Sequence, residues 1–252
     1  MKKKKLREEV VKEVLKAEPA KRSAKKKFNF DLRIQSPAAL GYFGIQGIDT
    51  APALIRLARV KGLDAIAITD FYDGRYVDRL KAAGEGTSIA VIPGVSIRAA
   101  LGDCRDVVLL CFFSEQNGSD EISLFLHDLG VFEEDFGNAQ RVVTMPFEQV
   151  LSVLDEHQGI AIPSRMDKTP SQMGAIPSLV DDYGFRAFDL AHSDSGEFFK
   201  QRWPKEKFSL FSFSNAMALA QVGSRVAKLA TPDTTFASLT QVALRSVGDR
   251  HI

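Results

Sequence analysis

Six polar clusters follow short apolar runs in this sequence, at residues 33–36, 70–73, 94–98, 164–167, 192–197 and 214–217. Between them they carry Arg33, Gln35, Asp70, Asp73, Ser96, Arg165, Asp167, His192, Ser193, Asp194 and Asn215. A guanidinium is permanently protonated and only donates, so it suits phosphate or carboxylate and cannot ligate a cation. His192, Ser193 and Asp194 have the residue types of a nucleophilic triad. Three consecutive residues cannot face one another as a triad must, so a polar rim or an exposed loop is the reading they support. No Walker pattern or GxGxxG follows an apolar run, and there is no GxSxG elbow. The clusters themselves must carry whatever chemistry there is.

The elements that would hold these clusters alternate. Apolar runs at 28–34, 64–69, 89–93, 107–113, 159–163, 187–191 and 208–213 read as strands. Helical spacing falls at 51–61, 75–83, 119–129, 147–158, 175–183 and 236–246. The segment 51–61 is typical, since Leu54, Ile55, Leu57, Ala58 and Val60 form one apolar face and Gly62 follows where a helix ends. Strand and helix at this cadence predict a mainly parallel sheet covered by helices, and seven strands favour a closed barrel. In such a barrel the strand ends are where function lies, which is where the polar clusters fall.

The net charge of +1 conceals two unlike parts. Residues 1–27 hold 12 Lys and Arg against 4 Glu, whereas 28–252 hold 21 basic and 28 acidic side chains. The arm has Leu6, Val10, Val11, Val14 and Leu15 at helical spacing, then Pro19 and a basic linker. It could contact nucleic acid or an anionic surface through Lys2 to Lys27, or pack as a solvated helix on the body or a protein partner. No aromatic precedes Phe28, so base stacking has no platform there. There is no apolar stretch of the ~18 residues a membrane span requires. No secretory core follows MKKKK, and two cysteines, Cys104 and Cys111, exclude a disulfide scaffold, so a cytoplasmic location is expected.

Phe30 to Ser36 (FDLRIQS), then Leu54 to Asp70 (LIRLARVKGLDAIAITD), resemble the opening of the PHP domain, named for polymerase and histidinol phosphatase, with its DLHxHS and KGLDAIAITDH wording. IPGVSI at 92–97, GIAIPSR at 159–165, FSNAMALAQVG at 213–223 and TFASLTQVALR at 235–245 are similar to its later motifs. The resemblance covers about residues 28–250 and implies a PHP-like distorted (β/α)7 barrel behind a basic N-terminal arm. It also implies divalent metals at the strand ends and phosphoester hydrolysis.

The metal-ligand positions that this resemblance implies are largely replaced. The histidines of HxH are Arg33 and Gln35, and the histidine after TD is Phe71. The glutamate of the IPGxEI wording is Ser96, the histidine of IPAH is Arg165, and SDAH contributes Asn215 and Met217. Only Asp70 is retained. The expectation is therefore no metal cofactor and no phosphoesterase catalysis. Arg33, Gln35, Ser96, Arg165 and Asn215 would instead receive a phosphate-bearing or carboxylate ligand, with His192 on the rim. Two other readings stay open at this point. Asp70 could pair with the arginines as a salt-bridge plug, or Asp70, Asp73, Asp167 and Asp194 could hold one metal in a rearranged enzyme. The segment around Phe198, Phe199 and Trp203 is read as packing or as an aromatic contact patch. His127, His157 and His251 are expected at the surface.

Overall fold

The computed structural model describes residues 26–36 and 50–244. Apart from Lys26 and Lys27, the basic arm lies outside the described residues, as does His251. The two lysines belong to the first strand, β1 (Lys26–Ile34), which therefore begins two residues ahead of the expected start. Helix α1 (Ala51–Val60) buries Ala51, Leu54, Ile55 and Ala58, and Gly62 beyond it has φ of 69°.

The chain continues through β2 (Ala65–Ile68), α2 (Val77–Gly84), β3 (Ala90–Val91), β4 (Gly94–Leu101) and β5 (Cys104–Phe112). Helices α3 (Ser119–Asp128) and α4 (Phe147–Glu156) precede β6 (Ile160–Ser164), and α5 (Pro170–Asp181) leads to β7 (Ala187–Asp189). Last come α6 (Gly196–Arg202), β8 (Ser209–Phe211), β9 (Ala227–Thr231) and α7 (Phe236–Ala243). No helix among the described residues is long and apolar enough to cross a membrane.

The strands form two sheets, ordered β3-β2-β1-β9 and β4-β5-β6-β7-β8, and not one closed barrel. The pairing is parallel for most neighbours but not throughout. Four pairings are parallel, but β1–β9, β4–β5 and β5–β6 are antiparallel. For β4–β5 the reason is local: Leu101 pairs with Cys104 across a two-residue turn, with Gly102 at φ 56°, and so short a link can only reverse the chain. The expected strand at 89–93 shrinks to two residues, and Ser96 lies within β4 instead of at a strand end.

The sheets share one apolar interior, to which β1 gives Phe30 and Leu32, β2 Ala65 and Ala67, β5 Leu110 and Phe112, and β6 Ile160 and Ile162. Isolated bridges join the sheets at both seams, Phe71 to Ser96 and Ile34 to Ala216. Outer faces pack on helices; Ile34, for example, lies in the cluster built around α1. The segment around Phe198, Phe199 and Trp203 proves to be packing. Trp203 meets Phe198 edge-on and Phe199 and Phe208 at a tilt, and donates through Nε1 to Asp181 Oδ1 at 2.8 Å. His157 pairs with Asp128 at 2.9 Å, and both free cysteines are buried.

Candidate anion site at the strand ends

The site begins with an irregularity in β1. Phe30 and Leu32 face the shared interior, so strict alternation would turn Arg33 outward. The β1–β2 register shifts between Asp31 and Ile34, and beyond the shift Ile34 faces α1 while Arg33 points inward. Re-aiming a side chain in this way is a familiar consequence of a bulge. Arg33 Nη1 donates to Ser164 Oγ at 2.8 Å and lies 3.4 Å from Asp189 Oδ2. Ser164 Oγ donates in turn to Asp189 Oδ2 at 2.5 Å, and the Phe213 amide donates to Asp189 Oδ1 at 3.0 Å. Ser164 and Asp189 are register partners on parallel strands and take the last inward step of each.

All of this is out of water: Asp189 is fully buried and Arg33 is 8% exposed. Burial pushes the Asp189 carboxyl up and draws the Arg33 guanidinium down to about 10, while their mutual attraction opposes both shifts. The positive charges of Arg165 and Arg98 depress Arg33 further. Arg98 is already engaged, 2.5 Å from Asp106 Oδ1 and over the Phe71 ring at 5.6 Å. Arg165 is different. It is half-buried, its amide donates to Asp189 O at 2.6 Å, and its guanidinium has no hydrogen-bond or ion-pair partner among the described residues.

The sequence-derived candidates separate into two groups. Arg33, Gln35, Arg165 and Asn215 come to one rim: the Gln35 amide donates to Ala216 O at 2.8 Å, and the Ala216 amide to Arg33 O at 3.2 Å. Asn215 Oδ1 is buried without a partner, and both Asn215 and Arg165 hold positive φ, 53° and 55°. Such backbone is uncommon outside glycine and marks strained positions. Asp70 and Ser96 are held apart from this group. Asp70 Oδ1 accepts from the Ser36 amide at 2.7 Å and its Oδ2 from the Ser36 hydroxyl, while Ser96 Oγ donates to Thr69 O at 2.7 Å. His192 is exposed on the rim of an open depression of about 410 Å³.

The salt-bridge plug with Asp70 is thus corrected, since the arginine partner is Asp189. Its sequence signal was present but overlooked: an acid between Phe188 and Leu190 in an apolar strand requires a partner. Asp31 carries the same signal and accepts from the Ser214 and Gly223 amides at 3.0 and 2.9 Å.

A metal cluster does not fit these residues. Arg33 sits on the carboxylate that could best have served as a ligand, and a guanidinium repels cations. The aspartates of a rearranged site do not converge either. Asp73 is clamped by Arg75 at 2.7 and 2.9 Å, and Asp167 accepts from the Ala191 and His192 amides and Ser195 Oγ, each at 2.8 Å. Among the described residues no group of three or more His, Cys, Asp or Glu side chains could hold a metal ion.

Several solved structures resemble this fold. A lesion-specific endonuclease from Pyrococcus furiosus aligns with TM-score 0.60 and 16% identity over 90% of this chain. A protein assigned as a metal-dependent phosphoesterase from Bifidobacterium adolescentis aligns with TM-score 0.53 and 14% identity, covering 87% of this chain and 96% of its own. The likeness is one of fold. An endonuclease Q structure complexed with a 27-mer duplex carrying an abasic lesion aligns at TM-score 0.57 and 16% identity over 90% of this chain. The chain spans 58% of the length of each endonuclease. No protein-family model and no curated protein matches the sequence.

Proposed function

We propose that this chain is a PHP-type fold in which guanidinium charge has replaced metal charge, making it a non-hydrolytic module that binds a phosphate-bearing or carboxylate ligand. The observation that carries this reading is the Arg165 guanidinium, without a partner among the described residues, beside the Arg33–Asp189 ion pair. One carboxylate faces two guanidinium groups, so the rim retains a positive charge suited to an anion. The buried Asn215 Oδ1 beside it is an acceptor, suited to a hydroxyl of the ligand and not to its anionic group. The same reading treats β1, β2, β4, β5, β6, β7 and β8 as a distorted seven-strand barrel, which the two seam bridges and the common interior support.

Titration of the full chain with inorganic phosphate tests the proposal. Arg165→Gln is expected to weaken phosphate binding about 10- to 100-fold, the loss of one or two charge-assisted hydrogen bonds. Stoichiometric divalent metal in the purified protein, with phosphodiester turnover, would overturn it.

A second reading has an observation of its own, because one neighbour of similar fold is complexed with duplex DNA. On that reading the basic N-terminus binds nucleic acid. Affinity for a 27-mer duplex should fall steeply with salt and disappear on deleting residues 1–25, and binding unchanged by the deletion would reject it.

A further inference from the structure

We propose that the depression at the ends of β7 and β8 is a hydroxyl-binding subsite, so that the ligand of this chain is a phosphorylated sugar or polyol. This rests on the anion-binding reading of Arg33 and Arg165. The depression holds about 410 Å³, within the range of small-molecule sites, and polar side chains line it except at Ala191 and Val226. Arg225 is fixed there by donating from Nη1 to Ala191 O at 2.7 Å and Ser212 Oγ at 3.3 Å, and it has no ion-pair partner among the described residues. Asp194 is exposed, and its carboxylate has no hydrogen-bond or ion-pair partner among the described residues. Ser193, Ser212 and the His192 ring complete the polar lining.

The charges of Arg225 and Asp194 offset one another, so this is not a second anion site. A cationic donor, a carboxylate acceptor and hydroxyls that do both are what a vicinal diol requires, since each of its hydroxyls donates and accepts. No Phe, Tyr or Trp lines the depression, so a nucleobase would have no ring to stack on.

Position supports the same conclusion. Ala191, on the wall, lies two residues beyond Asp189, whose carbonyl accepts from the Arg165 amide. Two residues of chain span at most roughly 7 Å, so the wall adjoins the strand end that carries Arg165. The wall is also pre-formed. The Asp167 carboxylate ties down the Ala191 and His192 amides together with Ser195 Oγ, which limits the ordering cost of binding.

Calorimetric titration of the full chain with ribose 5-phosphate and with inorganic phosphate tests this. Ribose 5-phosphate should bind at least about tenfold more tightly than phosphate. Asp194→Asn, at a group without partners among the described residues, and Arg225→Gln should each reduce that ratio to below about threefold while leaving phosphate affinity unchanged. Arg165→Gln should weaken both ligands together. Equal affinity of the wild type for the two ligands, or a ratio preserved in both subsite variants, overturns the subsite and leaves the anion site standing. Failure of the wild type to bind either ligand overturns the anion reading, and the subsite falls with it.

Discussion

Asp189→Asn is expected to destabilise the protein by about 3–5 kcal/mol, because it leaves the buried Arg33 guanidinium without its counter-charge. The substitution keeps the size of the side chain and an oxygen to accept from the Phe213 amide, so it isolates charge from packing. Neither partner can turn to water, since the side chains of Arg33 and Asp189 are 10% and 0% exposed. Arg33→Met in the Asp189→Asn background should recover most of the loss, as it removes the orphaned charge and fills the space with an apolar chain. Urea unfolding of the two single variants and the double variant gives the coupling directly. A cost below about 1 kcal/mol for Asp189→Asn would mean that the pair is an incidental contact.

The second large effect is a pH dependence centred on Asp70. Burial pushes its carboxyl up to about 7, with Asp73 adding to the rise and the two Ser36 bonds opposing it. An aspartate in the unfolded chain ionises near 3.8. Below that pH both states hold the proton, and above about 7 neither does. Between them the folded state alone is protonated, so stability falls by about 1.4 kcal/mol per pH unit as pH rises, about 4 kcal/mol in all. Asp70→Asn keeps an acceptor for the Ser36 amide and cannot ionise. Its stability relative to wild type should therefore rise by about 2–3 kcal/mol between pH 5 and pH 8. Unfolding curves at the two pH values measure the difference, and one that does not change with pH would contradict the buried, proton-holding Asp70.

Much of the fold was legible because it depends on local patterns. The apolar face of 51–61 and Gly62 place α1 closely, and the alternating runs place β1, β2, β5, β6, β7 and β8. What was missed lacks such a pattern or depends on distant pairing. β4 follows Pro93, begins at Gly94 and reads as a loop until β5 folds back on it. β9 is five residues with alternating burial and acquires its strand geometry from pairing with β1. Helix α6 has only seven residues, anchored by Phe199 among the aromatic rings.

The candidate site shows the same division. Residue types alone identified Arg33 and Arg165 as donors that cannot ligate metal, since a guanidinium keeps its proton in any fold. The same sequence carried the unlike charges of arm and body and the polar residues ending each apolar run. Which carboxylate meets Arg33 was not encoded locally. Asp70 lies 37 residues from Arg33 and Asp189 lies 156 away, and nothing in the one-dimensional spacing favours the more distant partner. The choice depends on a register shift in β1 that turns Arg33 inward, and on the parallel pairing that sets Ser164 beside Asp189. Register is a property of two strands together, so only the tertiary structure could decide which charges meet and which guanidinium has no partner among the described residues.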